Sequence, residues 1–304
     1  MVYCAYYTKG IQEKQEKKGG FWVQLLTYSI ETCEDGATIK TVLQNRHIST
    51  ATIRKLKQSN GIFLNEQSVT VRQRVQPGQV LTLRLPETPS EYVKPIPMEL
   101  QVIYEDDFVL VVNKPAGIPI HPSAGHHNDS LAGGVAYYIQ KEDFTFRPIT
   151  RLDRYTTGLV LIAKDSVSAA NLCQQIEKGD IQKTYYAVTQ GIPAPLKGTV
   201  TAPIARDETS VLKRKVSSDG KFAQTHYQVE DVNSRLALVK VLPITGRTHQ
   251  IRVHMAHLGC PLLYDFLYGE EEKEKMFLLQ CTQLVFTHPY TQERVCVEIP
   301  CTIW

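Results

Sequence analysis

The residues best placed to do chemistry lie in Thr150–Lys164, TRLDRYTTGLVLIAK. A carboxylate, Asp153, stands between the guanidinium groups of Arg151 and Arg154, just ahead of an apolar run. Alternate side chains of an extended segment share a face, so Arg151 and Asp153 point together and Arg154 points away. A neighbouring guanidinium keeps a carboxylate ionised. In that form it can serve as nucleophile, base or ion-pair partner. The same tetrapeptide would also suit an ion pair that staples a loop. A second cluster follows Thr248, where helical spacing sets His249, Arg252 and Ala256 on one face, opposite Ile251, Met255 and Leu258. An arginine there can reach a carboxylate across a cleft. His249 and His254 do not share a helix face and no acidic ligand stands nearby, so no metal is expected. In KTYYAV, Tyr185 and Tyr186 occupy opposite faces of a strand; one belongs to the core and the other can present its ring to a flat ligand.

These residues need a scaffold. GLVLIAK, apolar throughout, reads as a central strand buried on both faces. DSVSAANLCQQIEKG reads as a helix with Asp165 as cap and Gly179 as stop, and DSLAGGVAYYIQ as a helix capped by Asp129 or Ser130. LQVIYEDDFVLVVNK gives two strands; KTYYAVTQG, RLALVKVLP, LLQCTQLVFTHP and RVCVEIP give more. The fold class is therefore α+β, a mixed and mainly antiparallel sheet with flanking helices.

Before this body lies a different segment. Between Ile39 and Leu85 eight basic residues face one acid, Glu66, so a chain of net charge +3 concentrates +7 there. ATIKTVLQNR and STATIRKLKQSNG read as helices, the second with Ile53 and Leu56 inward and Arg54, Lys55 and Lys57 outward. GIFLNEQSVTV and VQPGQVLTLRLP follow as a hairpin and a strand. This order resembles the small RNA-binding domain named after ribosomal protein S-four. The resemblance implies an N-terminal region of residues 1–90 with that small basic α+β domain at about 33–86. PETPSEYVKPIP reads as an extended linker, and residues 91–304 form the catalytic unit, its packed body beginning near Met98.

Four motifs in order, VVNKPAGIPIHPS, RLDRYTTGLVLIAK, KTYYAVTQG and GRTHQIRVHMAHLGCPLLYDFLYG, are similar to the signature set of the RluA-type pseudouridine synthases. The resemblance implies isomerisation of uridine to pseudouridine in structured RNA, ribosomal RNA before transfer RNA. It implies a catalytic trio of Asp153 as the catalytic aspartate and nucleophile, Tyr185 stacking on the target base and Arg252 pairing with Asp153. Arg151, Leu152, Ile251 and His249 would bind the flipped nucleotide, and Arg46, Arg54, Lys55 and Lys57 the RNA backbone. Nothing in the reaction calls for a cofactor. A monomer is expected. The chain departs from the family pattern at Thr150, Thr157, Tyr264 and Gln280–Cys281, where histidine, serine, glycine and a His-Ala pair are usual.

Other classes fit less well. A glycosidase needs a second acid at a defined distance from the first, and none is evident. A non-catalytic RNA-binding protein would not need the trio intact. The early charges of the N-terminus do not suit a signal peptide and no apolar run is long enough for a bilayer, so a cytoplasmic location is expected. Seven cysteines without a C-x-x-C pair read as free thiols of the core.

Overall fold

The structure, a computed structural model, describes residues 11–18, 21–46, 48–87, 93–122, 129–140, 144–269 and 276–304. The N-terminal part contains β1 (Ile11–Lys18), β2 (Phe21–Ser29), α1 (Ile39–Asn45), α2 (Thr50–Gln58), β3 (Ile62–Leu64), β4 (Gln67–Ser68) and β5 (Val80–Glu87). Its strands form an antiparallel sheet in the order β1-β2-β5-β3-β4. The two helices start where short polar side chains can satisfy open backbone N–H groups. Thr38 accepts from Thr41 N–H and Ser49 from Thr52 N–H. Ile39, Val42, Leu43, Ile53 and Leu56 are buried with Leu26, Tyr28, Leu81 and Leu83. The sheet is larger than the sequence pattern suggests, because β1 and β2 precede the helices and add to β5.

The body continues with β6 (Gln101–Glu105), β7 (Val109–Lys114), α3 (Leu131–Ile139), β8 (Arg147–Pro148), β9 (Thr157–Ala163), α4 (Ser166–Lys178), β10 (Gln182–Gln190) and β11 (Lys197–Thr201). Then come β12 (Ile204–Arg206), β13 (Arg214–Val216), β14 (Gln224–Asn233), β15 (Leu236–Pro243), α5 (Gln250–His257), β16 (Leu279–Thr287) and β17 (Arg294–Glu298). The main sheet runs β11-β14-β15-β10-β16-β9-β7-β6, with β17 added to β16 and β8 to β9; β12 and β13 form a separate hairpin. Its described ladders are antiparallel apart from β9 with β16. The expected α+β class holds, and β9 is the buried central strand that its apolar run required: residues 158–163 are all buried.

Gly158 permits the parallel pairing. Its φ of +107° is closed to most side chains, and a Cβ there would lie 2.1 Å from the Cys281 carbonyl oxygen. A second close approach concerns the last residues of the linker. Gly133 and Gly134 of α3 leave room for Ile96 and Met98, and Ile96 N–H donates to Gly133 O at 3.0 Å. The last residues before β6 are thus laid down on the body rather than extended freely. The two cores also touch, because Val167 of α4 and Tyr290 pack against the N-terminal cluster. The described cysteines are free, but only Cys260 and Cys281 are buried; Cys33, Cys173 and Cys296 are exposed, so the expectation of core thiols fails for them.

Candidate active site

Asp153 sits in the loop between β8 and β9. That loop is fixed from three sides. Thr150 Oγ1 accepts from Leu161 N–H at 2.9 Å, which ties the loop to β9. Thr156 N–H donates to Asp153 O at 3.1 Å. The fully buried Lys114, at the end of β7, donates to the carbonyls of Pro115 at 2.8 Å, Ile118 at 3.0 Å and Arg154 at 2.9 Å. Burial pulls its ammonium down to about 7, with the charge of Asp153 acting the other way. Arg154 does point away from Asp153: its Nε donates to Gly117 O at 2.7 Å. The loops at 114–118 and 153–156 are therefore held together.

Across the cleft, Arg252 Nη1 approaches Asp153 Oδ2 at 3.4 Å and His249 Nε2 approaches the same oxygen at 3.8 Å. Arg252 is buried and its remaining fork grips Asp265, with Nε–Oδ2 and Nη2–Oδ1 both at 2.7 Å. Burial pulls the guanidinium down, but the hydrogen bonds and charge of Asp265 outweigh it and raise the group above its ordinary range. Asp265 itself is 0% exposed. It turns Arg252 into a rigid cation with one edge left for Asp153.

Tyr185 lies on β10, where the pairing with β16 shifts register between Thr184 and Tyr185. The extra residue of this bulge is Thr282 of β16, so the alternation of β10 is kept through Tyr185. The ring is buried yet lines the cleft. Burial first, then Cys281 beside it and Asp153 beyond, hold its phenol well above the ordinary range, so it stays neutral. The thiol of Cys281 is pushed up to about 12 by its own burial.

The cleft has a volume of about 220 Å³ and is lined by Arg151, Leu152, Asp153, Tyr185, His249, Ile251 and Arg252. All seven residues expected near the flipped nucleotide are thus brought together. Lys183 also lines it, two residues before Tyr185 on the same strand face, and burial lowers its ammonium. The loop 245–247 on the opposite wall is anchored by Gln250, whose Oε1 accepts from Thr245 Oγ1 at 2.7 Å and Arg247 N–H at 2.9 Å. Its Nε2 donates to Gln224 O and Thr225 Oγ1, both at 2.9 Å.

Two expectations need correction. α5 is not split into polar and apolar faces, because residues 250–255 are all buried. His249 lies outside the helix as its left-handed cap, φ 57°, and that turn carries its ring toward Asp153. His254 is a core residue between Thr225 Oγ1 at 2.8 Å and Ala202 O at 3.0 Å. Among the basic residues of the N-terminal part, Arg54, Lys55 and Lys57 are exposed on α2. Arg46 is not free in the same way: Nε and Nη2 bond to Glu34 at 2.9 and 2.6 Å and Nη2 also to Ser29 O at 3.0 Å.

Sequence reasoning missed Lys114, Gln250 and Asp265. Lys114 could have been found as a lysine closing an otherwise apolar strand, and Asp265 as an acid isolated in the apolar stretch PLLYDFLYG. Nothing in its local sequence marks Gln250.

The cleft thus gathers a partly exposed carboxylate, a buried cation and a neutral aromatic ring. A family profile described as RNA pseudouridylate synthase matches residues 108–257. The RNA pseudouridine synthase YhcT of Bacillus subtilis is 37% identical, over 88% of this chain and 90% of that one. Ribosomal large subunit pseudouridine synthase D of Zymomonas mobilis is 33% identical over 78% and 81%, and synthase C of Salmonella typhimurium 30% over 90% and 92%. The solved human RNA pseudouridylate synthase domain containing 4 superposes with a TM-score of 0.56 at 25% identity, over 66% of this chain and 88% of that one. The chain belongs to the RNA pseudouridylate synthase family.

Proposed function

We propose that this enzyme converts specific uridines of ribosomal RNA to pseudouridine, with Asp153 as its nucleophile. The observation that carries the proposal is the carboxylate of Asp153, turned into the cleft, 3.4 Å from Arg252 and in the same cavity as Tyr185. The relatives whose names specify a ribosomal substrate support the choice of RNA. Transfer RNA is the alternative substrate.

In the reaction the bond from uracil N1 to the ribose C1′ breaks, a bond from C5 to C1′ forms, the C5 proton is lost to solvent and N1 takes up a proton in its place. The target uridine must first leave its stack, at a cost of a few kcal/mol. Asp153 then attacks either the sugar or C6 of the base, or assists elimination to a glycal, with the Arg252 guanidinium facing it at 3.4 Å. Tyr185, neutral and rigid, holds the face of the released ring while it turns. Arg151, which makes no hydrogen bond or ion pair among the described residues and is exposed at the rim, is available to a phosphate. Leu152 and Ile251 supply apolar walls and His249 a polar one. Residues 1–90 serve as an RNA-docking unit through Arg54, Lys55 and Lys57, and residues 91–304 catalyse, in a cytoplasmic monomer.

The test uses ribosomal and transfer RNA tritiated at uracil C5. The wild-type protein should release tritium from ribosomal RNA. Asp153→Asn should lower that release by at least about 10³-fold while RNA affinity stays within a factor of a few. Undiminished release by the variant would remove Asp153 from the chemistry, and release from transfer RNA alone would reverse the substrate assignment.

A further inference from the structure

Tyr268 lies at the far side of the catalytic cluster and touches three of its supports. Its ring is 5.0 Å from the guanidinium of Arg252 and meets the His249 imidazole edge-on, with centroids 5.8 Å apart. It packs against Ile204, Ala223 and Val253, which joins the β12–β13 hairpin to α5. Its hydroxyl oxygen accepts from the backbone N–H of Arg214 at 2.9 Å and stands 2.8 Å from His249 Nδ1.

The proton count at this oxygen has a consequence. A phenol carries one proton and can accept as well. The Arg214 N–H occupies an acceptor position. Its own proton is then directed at His249 Nδ1, the other polar atom within reach. An imidazole nitrogen that accepts cannot itself be protonated, so a neutral ring must carry its proton on Nε2. Nε2 is the atom that faces Asp153 Oδ2, at 3.8 Å. Apo catalytic contacts of this length commonly tighten when substrate closes the site.

We propose that Tyr268 is a positioning residue that fixes His249 as the Nε2–H tautomer, so that His249 serves as a hydrogen-bond donor aimed at Asp153. The charged and polar groups around the imidazole are Asp153, Arg252, Asp265 and Arg214, together with Tyr268. Burial keeps the ring neutral against the pull of Asp153, and Arg252 reinforces that. A neutral ring in the opposite tautomer would present a lone pair to the carboxylate and repel it. In the Nε2–H form the ring and Arg252 approach the same oxygen, Oδ2. Both donors thus act on one carboxylate group from the same side. The backbone of the hairpin takes part through Arg214 N–H, which links the tautomer to a segment with exposed apolar residues, Val211 and Leu212, at its tip.

This inference rests on the proposed role of Asp153, but its first readout does not. The full-length protein labelled with ¹⁵N-histidine is examined by imidazole ¹⁵N NMR at neutral pH, the His249 signals being identified by their loss in His249→Gln. The expected spectrum shows a bare Nδ1 and a protonated Nε2. In Tyr268→Phe the ring should shift to a mixture of tautomers. Tritium release at saturating RNA should then fall roughly tenfold, the loss of one hydrogen bond to a charged acceptor, while the KM for RNA is unchanged. A wild-type ring protonated on Nδ1, or on both nitrogens, overturns the proposal. So does a Tyr268→Phe protein with the wild-type tautomer and turnover. The wild-type spectrum decides without any variant, should Tyr268→Phe fold poorly. If the proposed reaction itself fails, tritium release is absent while the tautomer is still read.

Discussion

At the scale of single residues, the site depends on buried charges that are fully occupied by partners. Arg252 would be costly without Asp265, and Asp265 without Arg252. Lys114 shows the same principle with backbone acceptors. Three carbonyls from two loops converge on one ammonium, and only the charged form has a proton for each. Lys114→Met should therefore leave three part-buried carbonyls without their donor and destabilise the body by about 3 kcal/mol, or roughly 6–12 °C in Tm by calorimetry. An unchanged Tm would mean that water replaces the ammonium. These partners are the portion of the site that the sequence hid. Asp153, Tyr185 and Arg252 stand in motifs whose residue types announce chemistry. Asp265 holds Arg252 from outside its helix and Gln250 joins the 245–247 loop to β14, and no local spacing reveals which arginine or which loop they serve. Arg46 shows the converse: counted as a free cation because Glu34 lies just outside the basic window, it is tied into the fold.

At the scale of elements, β9 and its neighbours were legible because burial on both faces forces an uninterrupted apolar run. α4 was legible because Asp165 and Gly179 mark its ends, the first by accepting from Val167 and Ser168 N–H and the second by a φ of +78°. α5 was misread because a helix buried all round has no stripe to detect. Its polar residues are satisfied internally, as His254 and Gln250 are. The junction of β9 and β16 makes its own prediction. Gly158→Ala puts a methyl group against the Cys281 carbonyl at a backbone angle that alanine resists. The expected loss is about 3 kcal/mol or more. Activity should fall with it even in the folded fraction, since Asp153 lies five residues upstream. Chemical denaturation and tritium release on the same sample would check both. Tyr264 likewise holds a left-handed backbone at φ 64° beside Asp265.

At the scale of the whole molecule, two units share a seam. Tyr290 stacks on Phe108 with ring centroids 3.9 Å apart and also meets the N-terminal core. Near it, Asp106 accepts from Tyr104 Oη at 2.7 Å and from His288 Nε2 at 3.0 Å. Burial raises its carboxyl, but the bonds from His288, Phe108 N–H, Tyr104 and Val109 N–H outweigh that and set it below the ordinary value. A carboxyl depressed in the folded state adds stability above its unfolded value and loses it as pH falls through the folded one. Thermal stability should thus decline below about pH 4, and Asp106→Asn should flatten that decline; an identical acid slope in the variant would exclude Asp106 as its source. The exposed cations of α2 act on another measurable. Replacing Arg54, Lys55 and Lys57 with glutamine should reduce the salt dependence of RNA binding by a slope of about 2, or roughly 0.7–0.9 for each lost phosphate contact. A slope that does not change would place the RNA elsewhere.

The parallel pairing of β9 with β16 joins Gly158 to Cys281, residues far apart in the chain. The start of β9, just after the loop that carries Asp153, is therefore paired with a strand made well after it. A nascent chain that has not yet extruded residues 279–287 leaves Thr157 and Gly158 without their β16 partners, while β8 already covers Ile162 and Ala163. The strand behind Asp153 thus reaches its full pairing only once the segment of β16 has been made.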